Sequence, residues 1–230
     1  MRFLHLVVAV AVLALATVRS GDAEEAMSGP VYSVVYFEVA PSGVADSAAA
    51  ARQYAEASGK EDGNTAFEMF QEIARPNRFA VVEVWRDKKA ADAHATAAAA
   101  KALGQKLQPS LVGGFGVRPH GGLSVAAPKG QIPSDAIYVV THVDVFPTGK
   151  DQAVELVKAQ ADAARKDDGN LRFDVLQWDG HPNHFTLVEA WRDRKAFDAS
   201  AAAPHTKEFR QKLTPLEGAL YDERLYQAIQ

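Results

Sequence analysis

Seven histidines and no cysteine bound the chemistry open to this 230-residue chain. Thiol nucleophiles and thiolate metal centres are excluded outright. Imidazole titrates near neutrality, so a histidine is the natural base for taking a proton from a weakly acidic substrate. Besides His5, His94 and His120 fall in the first half, and His142, His181, His184 and His205 in the second. His142 lies on an alternating stretch, on the face opposite Thr141 and Val143, and reads equally as a pocket residue or a buried interface residue. His181 and His184 flank Pro182-Asn183 and read as exposed turn residues; no further ligands accompany them, so no metal site is expected. Trp85 shares a strand face with Glu83, and Trp191 with Glu189. Such an indole can pack in a core or form a flat wall for an aromatic substrate. The two glutamates need partners if buried, and Arg86, Arg192 or backbone amides are expected to supply them. Arg172, Trp178, His205 and Tyr221 occur only in the second half, so any ligand pocket is expected there, with the Ala-filled first half completing the fold.

What positions these residues is an internal repeat. Pro41 and Gly43 recur as Pro147 and Gly149, an offset of 106 residues (147 − 41). At the same offset Asp62-Gly63-Asn64 recurs as Asp168-Gly169-Asn170, and Pro76-Asn77-x-Phe79 as Pro182-Asn183-x-Phe185. The longest match sets Val82-Glu83-x-Trp85-Arg86-Asp87-x-Lys89-Ala90 against Val188-Glu189-x-Trp191-Arg192-Asp193-x-Lys195-Ala196. Trp, Pro, Asn and Gly carry the match, so shared alanine-rich composition cannot explain it.

Each copy reads as strand, helix, strand, strand, helix, strand. Strands are predicted over 31–39, 65–73, 78–86 and about 114–119, then over 137–145, 171–178, 184–192 and about 219–225. Helices are predicted from 45 to 58 and after Thr148, which with Asp151 resembles a capped N-terminus. Asp87 and Asp193 stand where N-caps are wanted, and the second-copy helix is predicted to break at Pro204. The order is that of the α+β ferredoxin-like split βαβ unit, which leaves one sheet face bare. Two tandem β-α-β-β-α-β modules, 31–120 and 137–228, can cover each other's bare faces as an intrachain dimeric α/β barrel. Gly121, Gly122, Pro128, Gly130 and Pro133 mark 121–136 as a linker.

Met1-Arg2, the apolar run Phe3 to Val18 and the small residues after it predict a signal peptide over 1–23, hence a periplasmic or secreted protein. No membrane span is expected after cleavage. A formal charge of −4, with bases and acids interspersed, gives no reason to expect a nucleic-acid partner. No Gly-rich dinucleotide fingerprint occurs, so no cofactor is expected.

Val-Glu-x-Trp-Arg-Asp-x-x-Ala preceded by Pro-Asn-x-Phe resembles the central signature of the antibiotic biosynthesis monooxygenase family. Ala90 to His94 and Ala203-Pro204-His205-Thr206-Lys207-Glu208-Phe209 add to the resemblance, which spans about Val31 to Pro119 and Ile137 to Tyr226. It implies a dimeric α/β barrel and cofactor-independent oxygenation of a quinol or related phenol by molecular oxygen. The Pro-His match makes His205 the preferred base, with Trp191 beside it. His142, Arg172, Trp178, Tyr221, Trp85 and His94 are the expected substrate contacts. Neither copy keeps both histidines: the first has Ala98-Ala99 in place of Pro-His, and the second has Ser200 in place of His94. A non-catalytic periplasmic ligand-binding or stress protein on the same scaffold is the alternative. Haem breakdown ranks last, since Gly104 and Arg210 stand where an iron ligand would be needed.

Overall fold

A computed structural model describes residues 29–229, so the predicted leader lies outside the described residues. Module 1 runs β1 (Val31–Val39), α1 (Val44–Ser58), β2 (Asn64–Glu72), β3 (Arg78–Trp85), α2 (Lys88–Ala95), α3 (Ala98–Leu107) and β4 (Leu111–Ser124). Module 2 repeats the order as β5 (Ile137–Asp144), α4 (Lys150–Ala164), β6 (Asn170–Trp178), β7 (His184–Trp191), α5 (Arg194–Ala201), α6 (Pro204–Leu213) and β8 (Asp222–Ala228). None of these helices is long and apolar enough to cross a membrane.

The repeated motifs are structural fasteners. Asp87 caps α2 by accepting from the Ala90 amide (2.8 Å), and Asp193 caps α5 from Ala196 (2.8 Å). Arg86 and Arg192 reach back to Asp62 and Asp168 in the turn that opens the second strand of each module. Asn77 and Asn183 pin the end of each first strand through the carbonyls of Val39 (3.2 Å) and Val145 (2.7 Å). The glycine of each Asp-Gly-Asn turn has positive φ, +82° at Gly63 and +80° at Gly169. A Cβ on Gly169 would also stand 2.5 Å from the Ala196 Cβ, because the turn lies directly on the start of α5. Gly169→Ala should therefore cost at least about 1–2 kcal/mol. Urea unfolding should show a lower midpoint at unchanged m-value; an unmoved midpoint would refute this account of the turn.

Two local expectations are corrected. Helix α4 is not capped by Thr148: Pro147–Gly149 form a 3-10 turn, Gly149 is the N-cap, and no side chain caps it. Pro147 fixes φ and starts the helical winding before Thr148 could serve as a cap. The break between the paired helices occurs in both modules, at Ala97 as well as before Pro204, so proline is not its cause. In both copies an extended residue with ψ near 150–160° (Ala97, 159°; Ala203, 152°) turns the chain into the next helix.

All eight strands close into one antiparallel barrel in the order β1-β3-β2-β8-β5-β7-β6-β4. Closure depends on the last strand of each module. β4 pairs with β1 from Leu111 to His120, then continues through Gly121 and Gly122 to pair with β6, so the chain predicted as linker from Gly121 is strand up to Ser124. β8 pairs with β5 and then, at Tyr226 to Ala228, with β2. Closure removes every exposed sheet edge. Alternate residues of each strand, among them Val34, Phe70, Val82, Tyr138, Val140 and Val188, fill the barrel interior. The opposite faces pack under the helices as two separate cores. Tyr36 and His142 occupy equivalent positions of the two modules and meet across the pseudo-twofold, 5.2 Å apart and edge to face.

Candidate active site

Between the sheet and the helices of module 1 lies a cavity of about 270 Å³. Val35, Phe37, Val81, Trp85, Leu103 and Phe115 make most of its wall, and its polar side chains are Ser33, Tyr54, Glu83 and His94. Ala91, Ala95 and Ala100 form the helical side. Where the sequence suggests mere filler, short side chains leave space.

His94 is buried in the last turn of α2, its ring stacked 4.4 Å from Trp85. Glu61, in the turn before β2, lies 3.0 Å from Nδ1, and the Tyr54 hydroxyl of α1 lies 2.7 Å from Nε2. A carboxylate can only accept, so in the neutral ring Nδ1 carries the proton and Nε2 is the acceptor facing Tyr54. Burial, and then the charges of Glu83 and Glu61, push the Tyr54 phenol well above its ordinary range, so it stays protonated and donates to Nε2. Glu83 Oε2 accepts from the Trp85 indole at 2.6 Å and stands 3.6 Å from His94 Nε2. Burial raises the Glu83 carboxyl, against the opposing effect of the indole bond. The expected partner Arg86 is not used, because the guanidinium is committed to Asp62 outside the core. The arrangement is a base oriented on one nitrogen and open to a hydroxyl donor on the other, beside an aromatic wall.

The offset of 106 shows why module 2 lacks this space. Ala91 becomes Phe197, Leu103 becomes Phe209 and Phe115 becomes Tyr221. Phe197 and Phe209 are buried in the module 2 core, and Tyr221 packs against it under the Arg210 guanidinium, 3.3 Å from the ring centroid. His94 becomes Ser200, and Tyr54 and Glu61 become Gln160 and Asp167. The expectation that the aromatic-rich second module holds the main apolar pocket is thus reversed: its aromatic side chains fill the volume they were expected to line.

The remaining predicted residues are spread over the molecule. His205, in the first turn of α6, sits with Nε2 3.1 Å from Asp167 and Nδ1 3.1 Å from Gln160 Oε1, beside a shallow groove of about 150 Å³. Both nitrogens meet oxygens at the positions equivalent to Glu61 and Tyr54, so each module aims one imidazole at the same place from a different helix. Trp191 is buried away from His205, against Phe197, and donates to Glu189 at 2.8 Å. His142 faces the barrel interior, its Nδ1 3.1 Å from the Thr186 hydroxyl, which also lies 2.9 Å from His120 Nε2. Arg172 is interior too, held between Asp174 and, across the module boundary, Glu68. Trp178 meets His181 at the barrel rim, ring centroids 4.5 Å apart and planes tilted by 45°. Of the predicted contacts, only Trp85 and His94 share the module 1 cavity. Tyr54 and Glu61 were not singled out from the sequence; the signals available were a lone tyrosine in an alanine-rich helix and an acid preserved as Glu61 or Asp167 before both Asp-Gly-Asn turns.

Glu189 makes a pH prediction. Burial pushes its carboxyl from the ordinary 4.5 up to about 8. The folded chain then holds a proton that the unfolded chain releases. The associated stability is complete below about pH 4.5 and is lost as pH rises through about 8, at up to about 1.4 kcal/mol per unit. Glu189→Gln keeps an acceptor for Trp191 and cannot ionise. Its urea midpoint should exceed that of the parent at pH 9 and converge with it near pH 4; parallel profiles would contradict a buried neutral carboxyl.

Comparison with known proteins agrees with this architecture. A 4-hydroxy-5-phosphonooxypentane-2,3-dione isomerase of Yersinia enterocolitica is 35% identical over 85 residues, 37% of this chain and 85% of that protein. The Klebsiella pneumoniae protein of the same name is 33% identical over 66 residues, 29% of this chain and 67% of that protein. Among solved structures, a candidate monooxygenase from Fusobacterium nucleatum superposes with a TM-score of 0.80 at 18% identity, covering 88% of this chain and 94% of that one. An anthrone oxidase-like protein superposes at 0.68 and 12% identity, covering 89% and 93%. These last two are likenesses of fold. The sequence model for antibiotic biosynthesis monooxygenases matches residues 30–106 and 136–212, one match in each module, and the chain belongs to that family.

Proposed function

We propose that the chain is an exported, cofactor-independent monooxygenase with one active site, in module 1, acting on a quinol or related phenol. The observation that carries the reading is a single imidazole, oriented by Glu61 and opening into an apolar cavity beside Trp85. A bound hydroquinone can displace the Tyr54 hydroxyl and donate its O–H to His94 Nε2. Proton transfer leaves an electron-rich anion against the indole wall and an imidazolium stabilised by Glu61. Oxygen then reacts with that anion directly. One oxygen atom enters the ring, the other leaves as water with two hydrogens, and all four electrons come from the quinol, which ends as a hydroxyquinone. The apolar wall keeps bulk water from the anion.

The isomerase named among the relatives also points to chemistry at an acidic proton, and a His-Glu pair would serve it. Its named substrate carries a phosphoryl group, however, and no lysine or arginine lines the cavity, while Glu83 and the nearby Glu61 make its surroundings acidic. Charge therefore favours a neutral phenol. Oxygen uptake with menadiol above the autoxidation rate tests the reading. Tight binding of menadiol without uptake would replace it with the ligand-binding alternative. Turnover of a phosphorylated hydroxydione without oxygen would replace it with isomerisation. Export rests on the residue pattern of 1–23, and the mass of the mature chain from a periplasmic extract tests it.

A further inference from the structure

At one end of the barrel interior the pseudo-symmetry breaks in a way that leaves a cation without its anion. Arg118 on β4 and Arg224 on β8 are equivalent residues. Arg224 is held in a two-pronged pair by Asp222, two residues earlier on its own strand, at 2.9 and 2.5 Å. The residue equivalent to Asp222 is Gly116. Arg118 accordingly has neither an ion pair nor a side-chain hydrogen bond among the described residues. Its guanidinium is instead held between two rings, 4.9 Å from the centroid of Trp178 and 5.7 Å from that of Tyr36. Around it, two polar atoms are buried without partners: the Tyr36 hydroxyl and His142 Nε2. His142 is only 7% exposed.

Gly116 also leaves room. A Cβ there would meet nothing nearer than 3.9 Å, and Gly116, one position along the same strand face from Arg118, lines a cavity of about 290 Å³ with Gly114, Tyr36, Arg224, Tyr226 and the mutually paired Glu38 and Arg78 (3.0 Å). Gly116 and Arg118 lie on the same face of β4, as Asp222 and Arg224 do on β8. Phe37 and Phe79 complete an aromatic outer wall.

We infer that this end of the barrel binds a small aromatic carboxylate, whose carboxylate group takes at Arg118 the place that Asp222 fills at Arg224. A guanidinium recognises a planar carboxylate through two parallel N–H donors, and Tyr36 and His142 offer further polar contacts beside it. The two cavities share Phe37 and no other lining residue, Gly116 and Arg118 lie on the interior face of β4, and the inference does not depend on the oxygenase reading.

The test is calorimetric titration of benzoate into the full chain, with benzamide as the uncharged control. Saturable binding of one benzoate per chain, with no binding of benzamide, is expected. Gly116→Asp supplies the missing carboxylate internally and should weaken benzoate at least tenfold, as should Arg118→Gln. Ala91→Phe, which fills the separate module 1 cavity, should leave the affinity unchanged. No saturable binding, or equal affinity in the parent and Arg118→Gln, would overturn the inference, as would loss of binding in Ala91→Phe. Circular dichroism reports folding of each variant, and Arg118→Gln decides alone if Gly116→Asp does not fold.

Discussion

His94→Ala is expected to lower menadiol-dependent oxygen uptake by about a hundred- to ten-thousandfold, the usual worth of a positioned general base. His94 meets Glu61 on one side and the cavity on the other, so the loss should appear in kcat more than in KM. Glu61→Gln should fall in the same direction by less, because an amide can still orient the ring but cannot stabilise the imidazolium. His205→Ala is the discriminating control. Its imidazole is engaged by Asp167 and Gln160 outside the module 1 cavity, so uptake should stay near the parent value. Should His205→Ala abolish uptake while His94→Ala does not, the active site belongs to module 2 and the assignment above is wrong.

The second large effect comes from exchanging one residue between the modules. Ala91→Phe places in module 1 the ring that module 2 carries as Phe197. It projects into open cavity rather than packed core, so the fold should hold while menadiol binding and turnover disappear. The reciprocal Phe197→Ala removes a ring buried against Trp191 and should cost about 3–5 kcal/mol. Urea denaturation measures the second effect and oxygen uptake the first. If Ala91→Phe stays active, or Phe197→Ala costs under about 1 kcal/mol, the two modules do not differ in packing as described.

Much of the fold was legible in the residues because its signals are local and repeated. A run of β-branched and aromatic residues placed β1 at Val31–Val39, and Asp87 and Asp193 announced their helices. The bare sheet faces required a partner, and the repeat supplied one. The length of β4 was not legible, since Gly121 and Gly122 look like linker until β6 offers them a ladder to join. The site was harder for a different reason. His94, Glu61 and Tyr54 are brought together across separations of 33 and 40 residues, and no spacing rule links them. Composition misled as well. Rings and charges drew attention to module 2, yet Phe197, Phe209 and Tyr221 occupy volume, whereas Ala91, Ala95 and Ala100 surrender it. Reading each alanine of one copy against its partner in the other would have exposed the difference.

The meeting of Tyr36 and His142 across the pseudo-twofold has an evolutionary corollary. In an assembly of two identical chains, every residue near the rotation axis confronts its own duplicate, so any substitution there is imposed twice. Fusing the halves into a single polypeptide lifts that constraint. A phenol can then oppose an imidazole, a glycine can take the place of its counterpart aspartate, and one half is free to lose a function that the other retains.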